Sequence, residues 1–161
     1  MSKVIGIFGW KDVGKTHFAT GIIKLLVSKG YKVGSIKHAH HDFDIDQPGT
    51  DSFKHRKAGA SQVIISSSRR WAKIFENNNK KEKNLEELIG EFQDVDIVVV
   101  EGFKKENHPK IEIIEKNSQS INKEIKNVIA IVSDEITNTN IPVFKTNDIE
   151  SLVEFIIKKI R

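Results

Sequence analysis

Eight residues near the start of the chain, Gly9-Trp10-Lys11-Asp12-Val13-Gly14-Lys15-Thr16, satisfy the pattern G-x-x-x-x-G-K-[ST] at every specified position. Each specified residue has a chemical reason to be there. Gly9 and Gly14 let the backbone turn and approach a phosphate with no side chain in the way. The amides of Asp12 to Thr16 are then expected to point inward, and the start of a following helix adds a field that favours an anion. Lys15 suits the bridging of terminal phosphate oxygens as a mobile point charge, and the Thr16 hydroxyl suits ligation of magnesium. His17 closes the candidate phosphate-binding stretch and is expected to face solvent.

A metal held only by Thr16 and phosphates lacks a protein carboxylate, which phosphate-loop enzymes supply from the end of a neighbouring apolar strand. Val98-Val99-Val100-Glu101-Gly102 ends such a run. Glu101 is therefore expected as the acid beside the magnesium or the one that orients water; the competing reading is a solvated residue at a strand end. Asp96 begins the same run at the wrong end and is read as structural. Between positions 37 and 46 stand Lys37, His38, His40, His41, Asp42, Asp44 and Asp46. Imidazoles mixed with carboxylates are what a zinc or nickel site uses. The same loop could instead contact a γ-phosphate or its magnesium, or be an ordinary solvated loop. His108-Pro109 reads as a turn, and Trp71 as core or interface.

These residues need elements to position them. Val4–Phe8 is an apolar run ending in glycine, as in a buried strand. From Gly14 to Ser28, Phe18, Ile22, Leu25 and Leu26 recur at helical spacing, with Gly30 placed to stop the helix. Lys32–Lys37 reads as a second strand, the stretch to Thr50 as a loop, and Asp51–Ala58 as a short helix capped by Thr50 or Asp51. Further strands are expected at Gln62–Ser66, Trp71–Phe75, Asp96–Val100, Ile111–Ile114, Val128–Val132 and Pro142–Phe144. Helices are expected at Leu85–Phe92 and Asp148–Ile160, and Glu76–Lys83 as an exposed turn. The alternation implies an α/β fold with a mostly parallel sheet and ligands at the carboxyl ends of its strands. Gln62–Phe75 leaves little room for a helix, so a hairpin there would make the sheet mixed.

The chain of 161 residues reads as one domain, residues 1–161, with no internal repeat and no separating linker. It has no cysteine, which excludes disulfides and thiolate metal sites. With no signal segment and no apolar run of membrane-spanning length, it reads as cytoplasmic, without a membrane partner. The net charge of +4 suits a phosphate-binding protein, and no arginine-rich helix or aromatic–basic alternation points to nucleic acid.

Taken together, GWKDVGKTHFATGIIKLL, VGSIKHAHHDFDIDQPGTDSFKHRKAGA and DIVVVEGFK, in that order, resemble the molybdopterin-guanine dinucleotide biosynthesis protein B (MobB) family over at least residues 3 to 105. The resemblance implies a three-layer P-loop NTPase fold and a homodimer that binds GTP and magnesium and hydrolyses GTP weakly. It also implies an accessory role in making molybdopterin guanine dinucleotide, with a MobA-type guanylyltransferase and molybdopterin itself as candidate partners. Gly9 to Thr16 become the nucleotide phosphate site and Glu101 the Walker-B-like acid. Asp44 and Asp46, with Asp51 and Arg56, fall in the family's characteristic loop, near the active site or the dimer partner.

Two features depart from related P-loop proteins. Position 10 holds tryptophan where related dimeric ATPases place a lysine, Lys11 being one step away. No N-K-x-D guanine-reading motif is present. Ser133-Asp134 is the best-placed candidate to bond guanine, and Thr146-Asn147-Asp148 the second. The residues alone leave two other readings open, a small-molecule kinase and a nickel or zinc delivery module.

Overall fold

The computed structural model describes residues 3–39, 42–77, 81–116, 118–135 and 138–160. The backbone groups into two compact units, one formed by residues 1–38 and 85–161 and the other by residues 39–84.

The larger unit is a six-stranded sheet built from β1 (Lys3–Phe8), β2 (Val33–Lys37), β5 (Ile97–Glu101), β6 (Lys110–Ile113), β7 (Val128–Val132) and β8 (Val143–Phe144), in the order β2-β5-β1-β6-β7-β8. Every neighbouring pair is parallel. Parallel strands need crossovers, and crossover helices cover both faces of the sheet, so inner strands read as continuous apolar runs. Ile97 to Val100 of β5 are accordingly all buried.

One face packs under α1 (Lys15–Ser28) and α4 (Ile149–Ile160). Phe18, Ile22 and Leu26 from α1, with Leu152, Val153 and Ile156 from α4, meet Ile5, Ile7, Ile97, Val99, Ile111 and Ile113. The helical residues recur every three or four positions, which lines them along one side. Each fully buried Ile or Leu contributes roughly 1.5–3 kcal/mol relative to exposure. On the other face α3 (Leu85–Ile89) sets Leu85 against Val98 and Val100, with Phe92 packed alongside. The expected longer helix stops at Ile89, just before Gly90.

The smaller unit holds α2 (Asp51–Lys57) and the antiparallel hairpin of β3 (Gln62–Ser66) and β4 (Trp71–Phe75). Thr50 caps α2 by accepting the Phe53 amide at 3.4 Å. The expected mostly parallel sheet is present; the hairpin, which would have made it mixed, is a sheet of its own, and the six-stranded sheet is wholly parallel. Trp71, expected in the core or at an interface, is not in the core: it is 69% exposed, because the hairpin is two strands wide and leaves this residue uncovered.

Three polar side chains are buried beside β1. Lys110 has no exposure and donates to the carbonyls of Glu106, His108 (2.8 Å) and Lys126 (3.1 Å). Burial lowers its pKa, while these carbonyls satisfy the ammonium's three donors. Glu112 accepts bonds from Ser120 Oγ (2.7 Å) and the Ile121 amide (2.6 Å). His108, expected only as part of a turn, lies packed over Gly6, where a Cβ would stand 2.3 Å from its Nε2. Neither of its ring nitrogens has a hydrogen-bond partner among the described residues. Burial first, then the charge of Lys110, depress its pKa to about 4.

A depressed histidine pKa means that the unfolded chain binds the proton more readily than the folded one between about 6.5 and about 4. Stability should therefore fall as pH drops through that window, by on the order of 2–3 kcal/mol from this group. Denaturant titrations across the window should show the slope in the wild type and a flatter one in His108→Phe. Parallel slopes would remove the assignment.

Candidate functional site

The loop that joins β1 to α1 lies at the carboxyl end of the sheet. A Cβ at Gly9 would stand 2.4 Å from the Ile113 carbonyl oxygen, so only glycine lets the loop lie this close to β6. Gly14, the N-cap of α1, has φ 74° and ψ 19°, a left-handed conformation that glycine adopts without strain. Asp12 is also left-handed, at φ 63°, which aspartate tolerates better than most residues. Val13 is buried in the core cluster and anchors the loop from below.

The first turn of α1 has no side-chain cap bond and no acidic residue. Its opening amides, with the helix dipole behind them, have no side-chain cap, an arrangement that favours an anion at a helix start. The Lys15 ammonium bonds the Trp10 carbonyl and arches over the same loop. Trp10 projects outward and its indole N–H donates to the Gln119 carbonyl at 2.8 Å. Buried Glu112 holds Ser120 and Ile121 next to that contact, so the loop after β6 braces the β1–α1 loop at Trp10. His17 and Lys11 are exposed.

Beside this loop the Thr16 hydroxyl lies 3.0 Å from each oxygen of Glu101. Glu101 is the last residue of β5 and its side chain is only 13% exposed. The Lys37 ammonium, at the end of β2, stands 3.4 Å from Glu101 Oε1 and 3.4 Å from Thr16 Oγ1. The candidate metal ligands Thr16 and Glu101 are thus adjacent, and their donor set is entirely oxygen, as a hard cation such as magnesium requires. Lys37 is a sequence candidate only as part of the His/Asp loop; its pairing with Glu101 is not read from the sequence, although VGSIK and IVVVE both end in a charge and parallel neighbours bring such ends together.

The remaining candidates have other partners. Asp44 and Asp46 lie in the smaller unit, each 2.7 Å from Arg56 Nη2, with Glu76 at 3.3 Å from Nη1. Asp46 and Arg56 are 4% and 11% exposed, and the carboxylates raise the guanidinium pKa further. Asp51 pairs with Lys54 on the surface of α2. Ser133 is buried at the end of β7. Asp134 accepts the Thr146 amide (3.0 Å) and hydroxyl (2.6 Å), and these bonds lower its pKa. His40 and His41 lie outside the described residues, and so does the metal reading that rests on them.

Residues 4–134 match the family model described as molybdopterin guanine dinucleotide synthesis protein B. The molybdopterin-guanine dinucleotide biosynthesis adapter protein of Escherichia coli K12 is 35% identical, over 98% of this chain and 93% of its own. The adapter protein of the same description from Haemophilus influenzae is 33% identical, over 95% of this chain and 86% of its own. A crystal structure of a molybdopterin-guanine biosynthesis protein B superposes with a TM-score of 0.81 at 26% identity, covering 98% of this chain and 99% of that one.

The Arg56 cluster generates a local test. A buried cation flanked by three carboxylates holds residues of the loop before α2 against α2, and removing it leaves Asp46 buried beside its remaining neighbours. Arg56→Met should accelerate limited proteolysis within residues 42–57, with cleavage elsewhere unchanged. Identical cleavage patterns would show that the cluster does not hold the loop.

Proposed function

The chain belongs to the molybdopterin guanine dinucleotide synthesis protein B family, and on that premise we propose that it is an adapter in molybdopterin-guanine dinucleotide biosynthesis that works by binding GTP. The observation that carries the nucleotide part is the Thr16–Glu101 contact behind the loop Gly9–Thr16. An anion site of backbone amides stands next to a hydroxyl–carboxylate pair, the combination a metal-bound polyphosphate requires.

In this reading the phosphate chain lies along the amides of residues 12 to 16. Lys15 exchanges the Trp10 carbonyl for phosphate oxygens. Thr16 and Glu101 are the residues that would hold magnesium, whose contribution is to neutralise charge on the terminal phosphates. Glu101 is also placed to orient a water, consistent with slow hydrolysis. Asp134 is the candidate reader of guanine: Thr146 fixes its carboxylate, and each oxygen keeps a lone pair to accept the base's N–H groups.

The adapter role needs a surface for other chains. On one face of the β3–β4 hairpin Ile64, Trp71 and Phe75 are all exposed. We assign this face to a homodimer contact, leaving the guanylyltransferase and the molybdopterin it modifies to be engaged by the assembled pair.

Titration with a fluorescent GTP analogue and magnesium tests the nucleotide reading. Saturable binding is expected, and Lys15→Ala should weaken it by about tenfold to a hundredfold, the loss of one or two charge-assisted bonds. Absence of binding, or equal affinity in Lys15→Ala, would refute it. For the dimer, sedimentation should show a two-chain species that Trp71→Ser with Ile64→Ser dissociates. A monomeric wild type would discard that assignment.

A further inference from the structure

Lys37 lies outside the G-x-x-x-x-G-K-[ST] motif and is not one of the two residues proposed to hold magnesium, yet it contacts both of them. Parallel pairing sets Lys37 directly opposite Glu101, and α1 starts on the far side of the same carboxylate. The ammonium therefore contacts both oxygen ligands proposed for the metal, at 3.4 Å each. Its stem is not packed away, since the side chain is 62% exposed while Glu101 is 13% exposed. A largely buried anion and an exposed, tethered cation make this contact.

We infer that Lys37 is a built-in counter-cation that competes with the divalent metal for the Glu101–Thr16 pair and, once displaced, binds the terminal phosphate of the nucleotide. Two cations cannot share one carboxylate oxygen at contact distance without strong repulsion, so entry of the metal expels the ammonium. Its reach then carries it to the phosphate chain, which passes over Thr16. There it supplies a second lysine beside Lys15, in a chain whose position 10 holds tryptophan. When no metal is bound, Lys37 neutralises Glu101, which would otherwise repel a polyphosphate lying on the amides of α1. Nucleotide binding should accordingly depend only weakly on magnesium. This inference rests on residues 9–16 being a nucleoside triphosphate site.

The test compares wild type, Lys37→Met and Lys37→Arg in binding a slowly hydrolysed GTP analogue, first in EDTA and then across a magnesium titration. In EDTA, Lys37→Met should bind about tenfold more weakly than wild type, with Glu101 left uncompensated, and Lys37→Arg should recover most of the loss. Along the titration, the magnesium midpoint should fall to lower concentration in Lys37→Met, because the competitor is gone. Thermal melting checks that each variant is folded; Lys37→Gln is the alternative uncharged variant. Equal affinities in EDTA, or a magnesium midpoint unchanged or raised, overturns the inference alone. Failure of the wild type to bind the analogue in either condition overturns the phosphate-site reading and this inference with it.

Discussion

The pairing of β5 between β1 and β2 governs where the chemistry lies. Its register places Glu101 opposite Ile7 on one side and opposite Lys37 on the other. Because all three strands run the same way, their carboxyl ends finish at one level. The chain leaving β1 can then turn back over Glu101 through the loop Gly9–Gly14, and the first turn of α1 sets Thr16 against that carboxylate. A slip of one residue in β5 would turn Glu101 to the opposite face and put a valine in its place. Such a slip would also draw Asp96 or Glu101 into the buried stretch now filled by Ile97 to Val100, at the cost of burying a charge in an apolar layer. The hydrophobic core, which Val13 also joins from the loop, thereby fixes the position of a polar site.

A second group of interactions keeps the loop in shape from the β6 side. Glu112 is buried within the sheet, yet its bonds go forward to Ser120 and Ile121, and the next residue back, Gln119, takes the Trp10 indole. Burial of a carboxylate is costly unless it is satisfied, and here the satisfaction is spent on ordering a loop. Lys110, two residues earlier, does the same for the approach to β6, gathering three carbonyls that have no strand to pair with. One short strand thus carries two buried charges, and each organises the chain at one end of it.

Much of this was legible in the residues. The strand–loop–helix context of Gly9–Thr16, the apolar run before Glu101 and the Thr50 cap all rest on local rules, and local rules survive folding. What escaped depends on neighbours distant in sequence. The strand expected at Ile111–Ile114 carries no sign that Lys110 and Glu112 would be buried, but a strand between parallel neighbours, covered on both faces, has no outward side. The hairpin was recognised, but whether it joins the main sheet is a question of edges and not of propensity. Asp44 and Asp46 were read toward phosphate or metal; their proximity to Arg56 depends on the turn of the loop onto α2, which spacing alone does not reveal.

The bare start of α1 has a consequence of its own. Most helices complete their first turn with a serine, threonine, asparagine or aspartate from the same chain, and so carry their cap with them. Gly14 offers none, so an anion settling on those amides acts as a cap on loan. A folded state completed by a visitor gains stability with the logarithm of that visitor's concentration over its dissociation constant. On the proposed phosphate-site reading, the resistance of this sheet-and-helix layer to unfolding is a property of the surrounding solution as much as of the polypeptide.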